Sequence, residues 1–439
     1  MMQVIRYPQA AERLLLLQRP VTDHAGLERQ VNTVLQEVKE DGDAAIRKYS
    51  LQFDKVALEE LEISPASRKA AAAQVPEALK RAIAQARENI ERFHAAQREV
   101  FPPVETMPGV SCWRKSVGIE KVGLYIPGGT APLFSTVLML GIPAVLAGCR
   151  EIILCTPPGT DGNVHPALLY AAEQTGIARI FRIGGVQAIG AMAYGTASVP
   201  RVFKIFGPGN QYVTCAKQLV AREGVAIDMP AGPSEVAVFG DDSSIPAFVA
   251  ADLLSQAEHG IDSQVMLVTD HEPLIAAVQE ETARQLEKLP RRNIAAQALS
   301  HSRIVLMEDR SAAVALLNEY SPEHLILSCR NAAEMAAQIV NAGSVFLGHY
   351  TPESAGDYAS GTNHTLPTNG YAKVYGGVSL DSFVKKITFQ QITEAGIRNI
   401  GPVVETMAAA EGLDAHKNAV SVRLNLLAET DAAAGRSKE

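Results

Sequence analysis

Val122-Gly123-Leu124-Tyr125-Ile126-Pro127-Gly128-Gly129 decides the fold. Five uncharged residues with no polar alternation read as a strand buried on both faces, and a proline followed by two glycines ends it sharply. The same punctuation recurs downstream. Ile152 to Cys155 runs into Thr156-Pro157-Pro158, and Arg179 to Ile183 runs into Gly184-Gly185. Between these lie Ala-rich stretches with helical spacing, Ala167 to Gln174 and Val186 to Tyr194. Buried strands alternating with helices predict a parallel sheet with helices on both faces.

A second block of the same texture spans Glu235 to Gly348. Its expected strands are Val236 to Phe239, Val265 to Thr269, Ile304 to Met307, Leu325 to Leu327 and Val345 to Leu347, with helices over Ala247 to His259 and Ala312 to Glu319. Two such layers suggest a duplicated architecture, with ligands at the carboxyl ends of strands and in the cleft between. No residue-level repeat supports the duplication.

Upstream, Met1 to about Pro20 reads as an arm that packs on another domain or subunit. Thr22 to Glu99 is helical: Leu79, Ile83, Ala86, Ile90 and Phe93 recur at three- and four-residue steps. Beyond Gly361 a Gly-, Asn- and Thr-rich segment to Gly377 reads as a long ordered loop, a common place for function. Ser379 to Leu427 reads as amphipathic helices, and Ala428 to Glu439 as a frayed tail.

The chain of 439 residues is too long for one core, and its composition, 47% hydrophobic and 20% charged, is that of a globular protein. The net charge of -8 is spread along the chain without a basic run, which argues against nucleic acid as a partner. Leu14 to Leu17 is far shorter than a signal core or membrane span, so a cytoplasmic protein with no membrane partner is expected. Five scattered cysteines without a C-x-x-C pair fit a reducing compartment.

Chemistry concentrates in a few places. In Ser255-Gln256-Ala257-Glu258-His259-Gly260, Gln256 and His259 are three apart on a helix and point the same way, half of a mixed nitrogen and oxygen metal site. Glu323-His324 pairs a carboxylate with an imidazole at a strand start, and both types move protons near neutral pH when tuned. Asp357 and His364 belong to the ordered loop, and His416 opens a helical run with Glu411 just upstream. Gln256, His259, Asp357 and His416 have the ligand character of a catalytic zinc site, although spacing alone does not bring them together. Three glycine turns follow strands: Tyr125-Ile126-Pro127-Gly128-Gly129, Gly184-Gly185-Val186-Gln187 and Phe206-Gly207-Pro208-Gly209-Asn210. Such turns let backbone approach a pyrophosphate, yet none matches G-x-G-x-x-G or Walker A.

From about Val122 to Arg423 the chain closely resembles histidinol dehydrogenase. The strings GLYIPGGTAPLFSTVLML, GGVQAIGAMAYGT, IFGPGNQYVT, IDMPAGPSEV, DLLSQAEHGIDSQV, SPEHL, SAGDYASGTNHTLPT and GLDAH carry the likeness. Members of that family oxidise L-histidinol to L-histidine in two NAD-dependent steps through an aldehyde. The resemblance implies an intertwined, zinc-dependent homodimer with one Zn2+ per subunit and shared active sites. It makes Gln256, His259, Asp357 and His416 the metal ligands, with His416 reaching into the neighbouring site. Glu323 and His324 become the proton-transfer pair; Ser234, His364 and Glu411 join the metal ligands and His324 in contacting substrate. Tyr125, Gln187 and Asn210 would contact NAD. It implies two Rossmann-like, incomplete doubly wound domains: an arm over 1–21, a first α/β domain from 22–124 plus 234–378, an NAD-contacting second over 125–233, and a helical extension over 379–439 at the dimer contact. A paralogue acting on another alcohol, such as a sulfonated diol, is the nearest alternative. A zinc hydrolase is more distant, and thiolate catalysis by Cys149 or Cys155 has no nearby base in sequence.

Overall fold

The computed structural model describes residues 2–19, 24–128, 132–230 and 232–436. They form two compact units: Met1–Gln97 with Ile119–Phe383, and Arg98–Gly118 with Val384–Glu439.

The first unit holds two sheets. One has five strands in the order Arg179–Arg182, Glu151–Thr156, Lys121–Tyr125, Lys204–Phe206, Ala226–Ile227, all parallel. The chain enters at the centre, winds outward one way, then returns to wind out the other. The reversal lies between Lys121–Tyr125 and Lys204–Phe206, where a crevice opens at the carboxyl ends of doubly wound sheets. The other sheet runs Gln3–Arg6, Arg303–Leu306, Gln264–Thr269, Glu235–Gly240, His324–Ser328, Ser344–Leu347, again all parallel. From Glu235 onward it winds as the first does, so the likeness between the two blocks is one of topology. The N-terminal arm adds the outermost strand, pairing with Arg303–Leu306.

The lead-in helices belong with the five-stranded sheet. Leu27, Val31, Leu35 and Val38 share a core with Ile153, Ile189 and Ile205, while Ile83 and Ile90 share one with Val122, Leu124 and Leu154. The expected grouping of 22–124 with 234–378 placed them on the other layer. Packing follows chain order instead, since elements next in sequence usually meet in space. The strand Lys121–Tyr125 is the centre of its sheet, so no boundary falls at 124. Thr22 and Gly129 lie outside the described residues.

The second unit is a three-stranded antiparallel sheet, Val384–Ile392 on Val110–Gly118 on Val104–Met107, with helices Glu394–Ala410 and Asp414–Arg436. The expectation of helices throughout 379–427 fails at Val384–Ile392, where Ile387 and Phe389 sit two apart, a strand period. The last helix continues past Ala428 to Arg436, so that segment is not a frayed tail. Ile387, Phe389, Val403, Met407, Val422 and Leu426 remain exposed on this unit. Among the described residues no helix is long and apolar enough to cross a membrane.

Candidate active site

The neighbouring strands Glu235–Gly240 and His324–Ser328 pair with His324 opposite Val236, which brings their amino ends together. The N-H of Glu235 donates to Glu323 Oε2 at 3.0 Å. The carbonyl of the same residue lies 3.3 Å from His324 Nδ1. A carbonyl only accepts, so Nδ1 carries a proton, and in the neutral imidazole the lone pair is on Nε2. Nε2 has no hydrogen-bond partner and lies 3.5 Å from Asp357 Oδ1. Nδ1 is 3.7 Å from Glu323 Oε2 and 3.9 Å from Glu353 Oε1. Glu353 and Asp357 stand four residues apart on the short helix Glu353–Tyr358, so both carboxyls face one way. Asp357 thus lies on a helix rather than in the loop expected for it. One ligand atom each from His324, Glu353 and Asp357 lies within 4.8 Å of the others.

Burial and mutual charge pull these groups apart. Burial pushes the Glu323 carboxyl up to about 8 against the pull of His324 and the Glu235 N-H. Glu353 likewise rises to about 8, chiefly by burial. Burial alone would lower His324, but Glu353, Glu323 and Asp357 win and hold it at about 10. For Asp357 burial is again opposed, here by contact with His324 and by the charges of His364 and His259, and its carboxyl stays below the usual range. One imidazole and two carboxyls pushed up beside a third carboxyl held down, all within one enclosed group, suit proton transfer.

Beside this group the helix Pro246–Ala257 ends. Gln256 is in its last turn and His259 just beyond, with Gln256 Nε2 3.4 Å from His259 Nδ1. Gln256 is 1% exposed and its Oε1 has no protein partner. An orphaned amide oxygen, an imidazole and the nearby Asp357 carboxylate are donor types that suit a borderline divalent ion, although the ligand atoms that converge are those of His324, Glu353 and Asp357. His364 donates from Nδ1 to the Asp357 carbonyl at 2.8 Å, and its Nε2 lies 3.0 Å from Thr136 Oγ1 on the helix Phe134–Leu146. Ser234 immediately precedes the strand Glu235–Gly240, and its carbonyl accepts from Gln264 N-H at 3.1 Å. Glu411 caps the helix Glu394–Ala410 and His416 stands in the first turn of Asp414–Arg436. Both are exposed and belong to the second unit, so the cluster just described is drawn from the first alone.

This cluster occupies the amino ends of its strands, where the sequence led us to expect the carboxyl ends. The carboxyl ends are closed: Arg310 and the Arg330 N-H both donate to Asp241 Oδ2, and Ser244 Oγ donates to the Ser328 carbonyl.

In the five-stranded sheet the carboxyl ends are the open ones. Tyr125 ends the central strand, and its hydroxyl accepts from Gly185 N-H at 3.1 Å. Gln187 is 1% exposed with neither amide atom partnered. Asn210 caps the helix Gln211–Arg222, its Oδ1 accepting from Tyr212 and Val213 N-H at 3.1 Å each. Gly207 has φ 128°, and a Cβ there would meet the Tyr125 carbonyl oxygen at 2.0 Å, so only glycine lets these two segments approach. A cavity of about 960 Å³, lined by Pro127, Gly128, Thr156, Pro157, Glu62 and Arg182 among others, lies over the ends of Lys121–Tyr125, Glu151–Thr156 and Arg179–Arg182; neither His324 nor Tyr125, Gln187 or Asn210 lines it.

A family profile described as histidinol dehydrogenase matches residues 17–424. The chain belongs to the histidinol dehydrogenase family. It is 61% identical to the histidinol dehydrogenase of Bacteroides thetaiotaomicron over 427 residues, covering 97% of this chain and all of that one (100%). The Salmonella choleraesuis enzyme is 50% identical, with 95% and 96% covered. The crystal structure of histidinol dehydrogenase from Elizabethkingia anophelis superposes with a TM-score of 0.95 at 55% identity, covering 97% of this chain and 98% of that one. The chain is accordingly an enzyme, a dehydrogenase of this family.

One member of the cluster escaped the sequence. Glu353 is 1% exposed with neither carboxylate oxygen hydrogen-bonded, yet Pro352-Glu353-Ser354 reads as a loop. The signal was its four-residue spacing from Asp357. The thiols play no such part. Burial pushes Cys149 and Cys329 up to about 11 and Cys155 higher still, which keeps them protonated and poor nucleophiles.

Proposed function

We propose that this protein carries out the four-electron oxidation of L-histidinol to L-histidine through L-histidinaldehyde, at the end of histidine biosynthesis in the cytoplasm. The observation that carries this reading is the enclosed Glu323, His324, Asp357 and Glu353 group beside the orphaned Gln256 oxygen.

In this reading Gln256, His259 and Asp357 hold a zinc ion, and His416 of the partner subunit completes the set in a homodimer with shared sites. The exposed apolar residues of the second unit support such a contact. Bound zinc would supply orientation of the substrate imidazole and amine more than Lewis acidity. Ser234, His364 and Glu411 would contact the substrate, and Tyr125, Gln187 and Asn210 would contact NAD. The reversal of strand order between Lys121–Tyr125 and Lys204–Phe206 is the position in such a sheet that suits a dinucleotide.

In its neutral form His324 takes the alcohol proton at Nε2 as the carbinol carbon gives up its first hydride, because its Nδ1 is committed to the Glu235 carbonyl; bound NAD would supply the hydride acceptor. Glu323, once ionised, then takes a proton from the water that adds to the aldehyde while His324 returns its own proton to the carbonyl oxygen, which forms the hydrate and restores His324 as a base. His324 removes the hydrate's hydroxyl proton as the second hydride leaves. Enclosure keeps the reactive aldehyde in place between the steps.

The test is NADH formation with L-histidinol before and after chelation and zinc return, counting NADH per substrate consumed. Two NADH per histidinol, lost on chelation and restored by zinc, is the expected result. NADH from another alcohol but none from histidinol would assign the chain to a paralogous activity, and turnover indifferent to NAD would point to hydrolysis.

A further inference from the structure

The steps above leave one buried contact at the amino end of the six-stranded sheet unused. Arg19, from the N-terminal arm, grips Glu235 through two parallel bonds, Nε to Oε2 at 2.8 Å and Nη2 to Oε1 at 3.1 Å. Nη2 also donates to the Tyr320 carbonyl at 2.7 Å, and the guanidinium lies 3.7 Å over the Tyr320 ring. The Tyr320 hydroxyl donates to Gln264 Oε1 at 2.8 Å and lies 3.4 Å from Glu235 Oε2. Solvent barely reaches the pair, whose side chains are 10% and 1% exposed. Glu235 is also the residue whose N-H holds Glu323 and whose carbonyl holds His324. Its side chain is clamped while its main chain serves both proton-transfer groups.

We propose that Arg19 is a positioning residue for the Glu323 and His324 pair, acting through Glu235. The inference rests on reading that pair as the proton-transfer groups. A planar guanidinium fork fixes a carboxylate in two directions at once, which an ammonium does not. Without the fork, Glu235 is a buried anion lacking its counter-charge and must turn toward solvent or another donor. Its peptide then shifts, Glu323 loses its N-H donor, and His324 loses the acceptor that keeps the proton on Nδ1. Misplacement by about 1 Å costs a catalytic group on the order of 100-fold.

The experiment uses the full-length enzyme with Arg19→Lys and Arg19→Ala, the latter with and without added guanidinium. Steady-state constants for histidinol and NAD are measured beside melting temperatures. In Arg19→Ala, kcat is expected to fall roughly 10- to 100-fold with the NAD KM within about twofold of the parent, and guanidinium is expected to restore part of kcat. Arg19→Lys keeps the charge without the fork and is expected to lose kcat to a smaller degree. A lower melting temperature with kcat within about twofold of the parent would make the ion pair purely structural and overturn the proposal. Equal losses in kcat and both KM values without recovery by guanidinium would overturn it as well. If Arg19→Ala does not fold, kcat of Arg19→Lys decides by the same criterion. Glu323→Gln and His324→Gln are measured in parallel. Parent-like turnover in both would remove the reading on which the inference rests, whereas their loss beside unaffected Arg19 variants would remove the inference alone.

Discussion

Replacing Glu323 with glutamine should separate the two oxidations. Burial pushes this carboxyl up to about 8, so at pH 7 roughly ten molecules carry it protonated for each one ionised. A neutral amide therefore carries nearly the resting charge, and its oxygen can still accept the Glu235 N-H now 3.0 Å from Oε2. The fold should be indifferent, with stability changed by less than about 1 kcal/mol. What the amide cannot do is take a proton from water. A positioned general base contributes roughly 10²- to 10⁴-fold, about 3–5 kcal/mol of barrier, and here that loss falls on hydration of the aldehyde. Rapid mixing with histidinol should show a first NADH formed at close to the parent rate and a second delayed by that factor. Histidinaldehyde supplied directly should be a poor substrate. In the parent enzyme the second half-reaction should quicken as pH rises through about 8, where Glu323 gives up its proton, and the variant should lack that rise. Equal loss from both half-reactions would refute the division of labour between Glu323 and His324.

Other perturbations follow from the same geometry. Glu353 is raised in the fold from 4.5 to about 8, so it contributes stability below 4.5 that is lost as pH climbs toward 8. Glu353→Gln should therefore melt higher than the parent at pH 8 and about equally at pH 4. The same change removes a negative charge facing His324 and should move the imidazole limb of the pH-rate profile for the first oxidation to lower pH. Thr136→Val leaves His364 Nε2 without its hydroxyl partner, and the KM for histidinol should rise roughly 5- to 10-fold with kcat little changed. Gly207→Ala drives a Cβ into the Tyr125 carbonyl, so denaturant titration should show at least about 2 kcal/mol of lost stability and kinetics a raised NAD KM.

Legibility in the sequence followed local determination. Strands such as Ile152 to Cys155 and Val265 to Thr269 were readable within a residue because unbroken apolar runs bounded by Gly and Pro allow little else. Gln256 and His259 faced one another as their spacing requires, although His259 stands just past the helix end. The partner sheet of the lead-in helices was not legible, since an apolar stripe says that something covers it but not what. Nor was Val384–Ile392, whose pairing with Val110–Gly118 joins segments more than two hundred residues apart. Glu353 went unread because its four-residue spacing from Asp357 gains meaning only with burial beside His324.

The use of opposite strand ends in two sheets wound alike has a physical basis. In the five-stranded sheet Gly207 lets backbone cross close to Tyr125 at the carboxyl ends, where two helices start with their first N-H groups held by the Tyr125 hydroxyl and by Asn210 Oδ1. In the six-stranded sheet the corresponding ends are sealed around Asp241, while the amino ends present two groups that helix starts cannot provide. These are a main-chain carbonyl that fixes the His324 tautomer and a buried carboxyl that waits near neutral pH. The segment after Tyr358 ties the two layers together: Asn363 Nδ2 donates to the Met139 carbonyl at 2.6 Å, and His364 joins Thr136 to the Asp357 carbonyl. In the proposed reading, a substrate held by His364 would rest beside the helix Phe134–Leu146 of one layer while the other layer handles its protons.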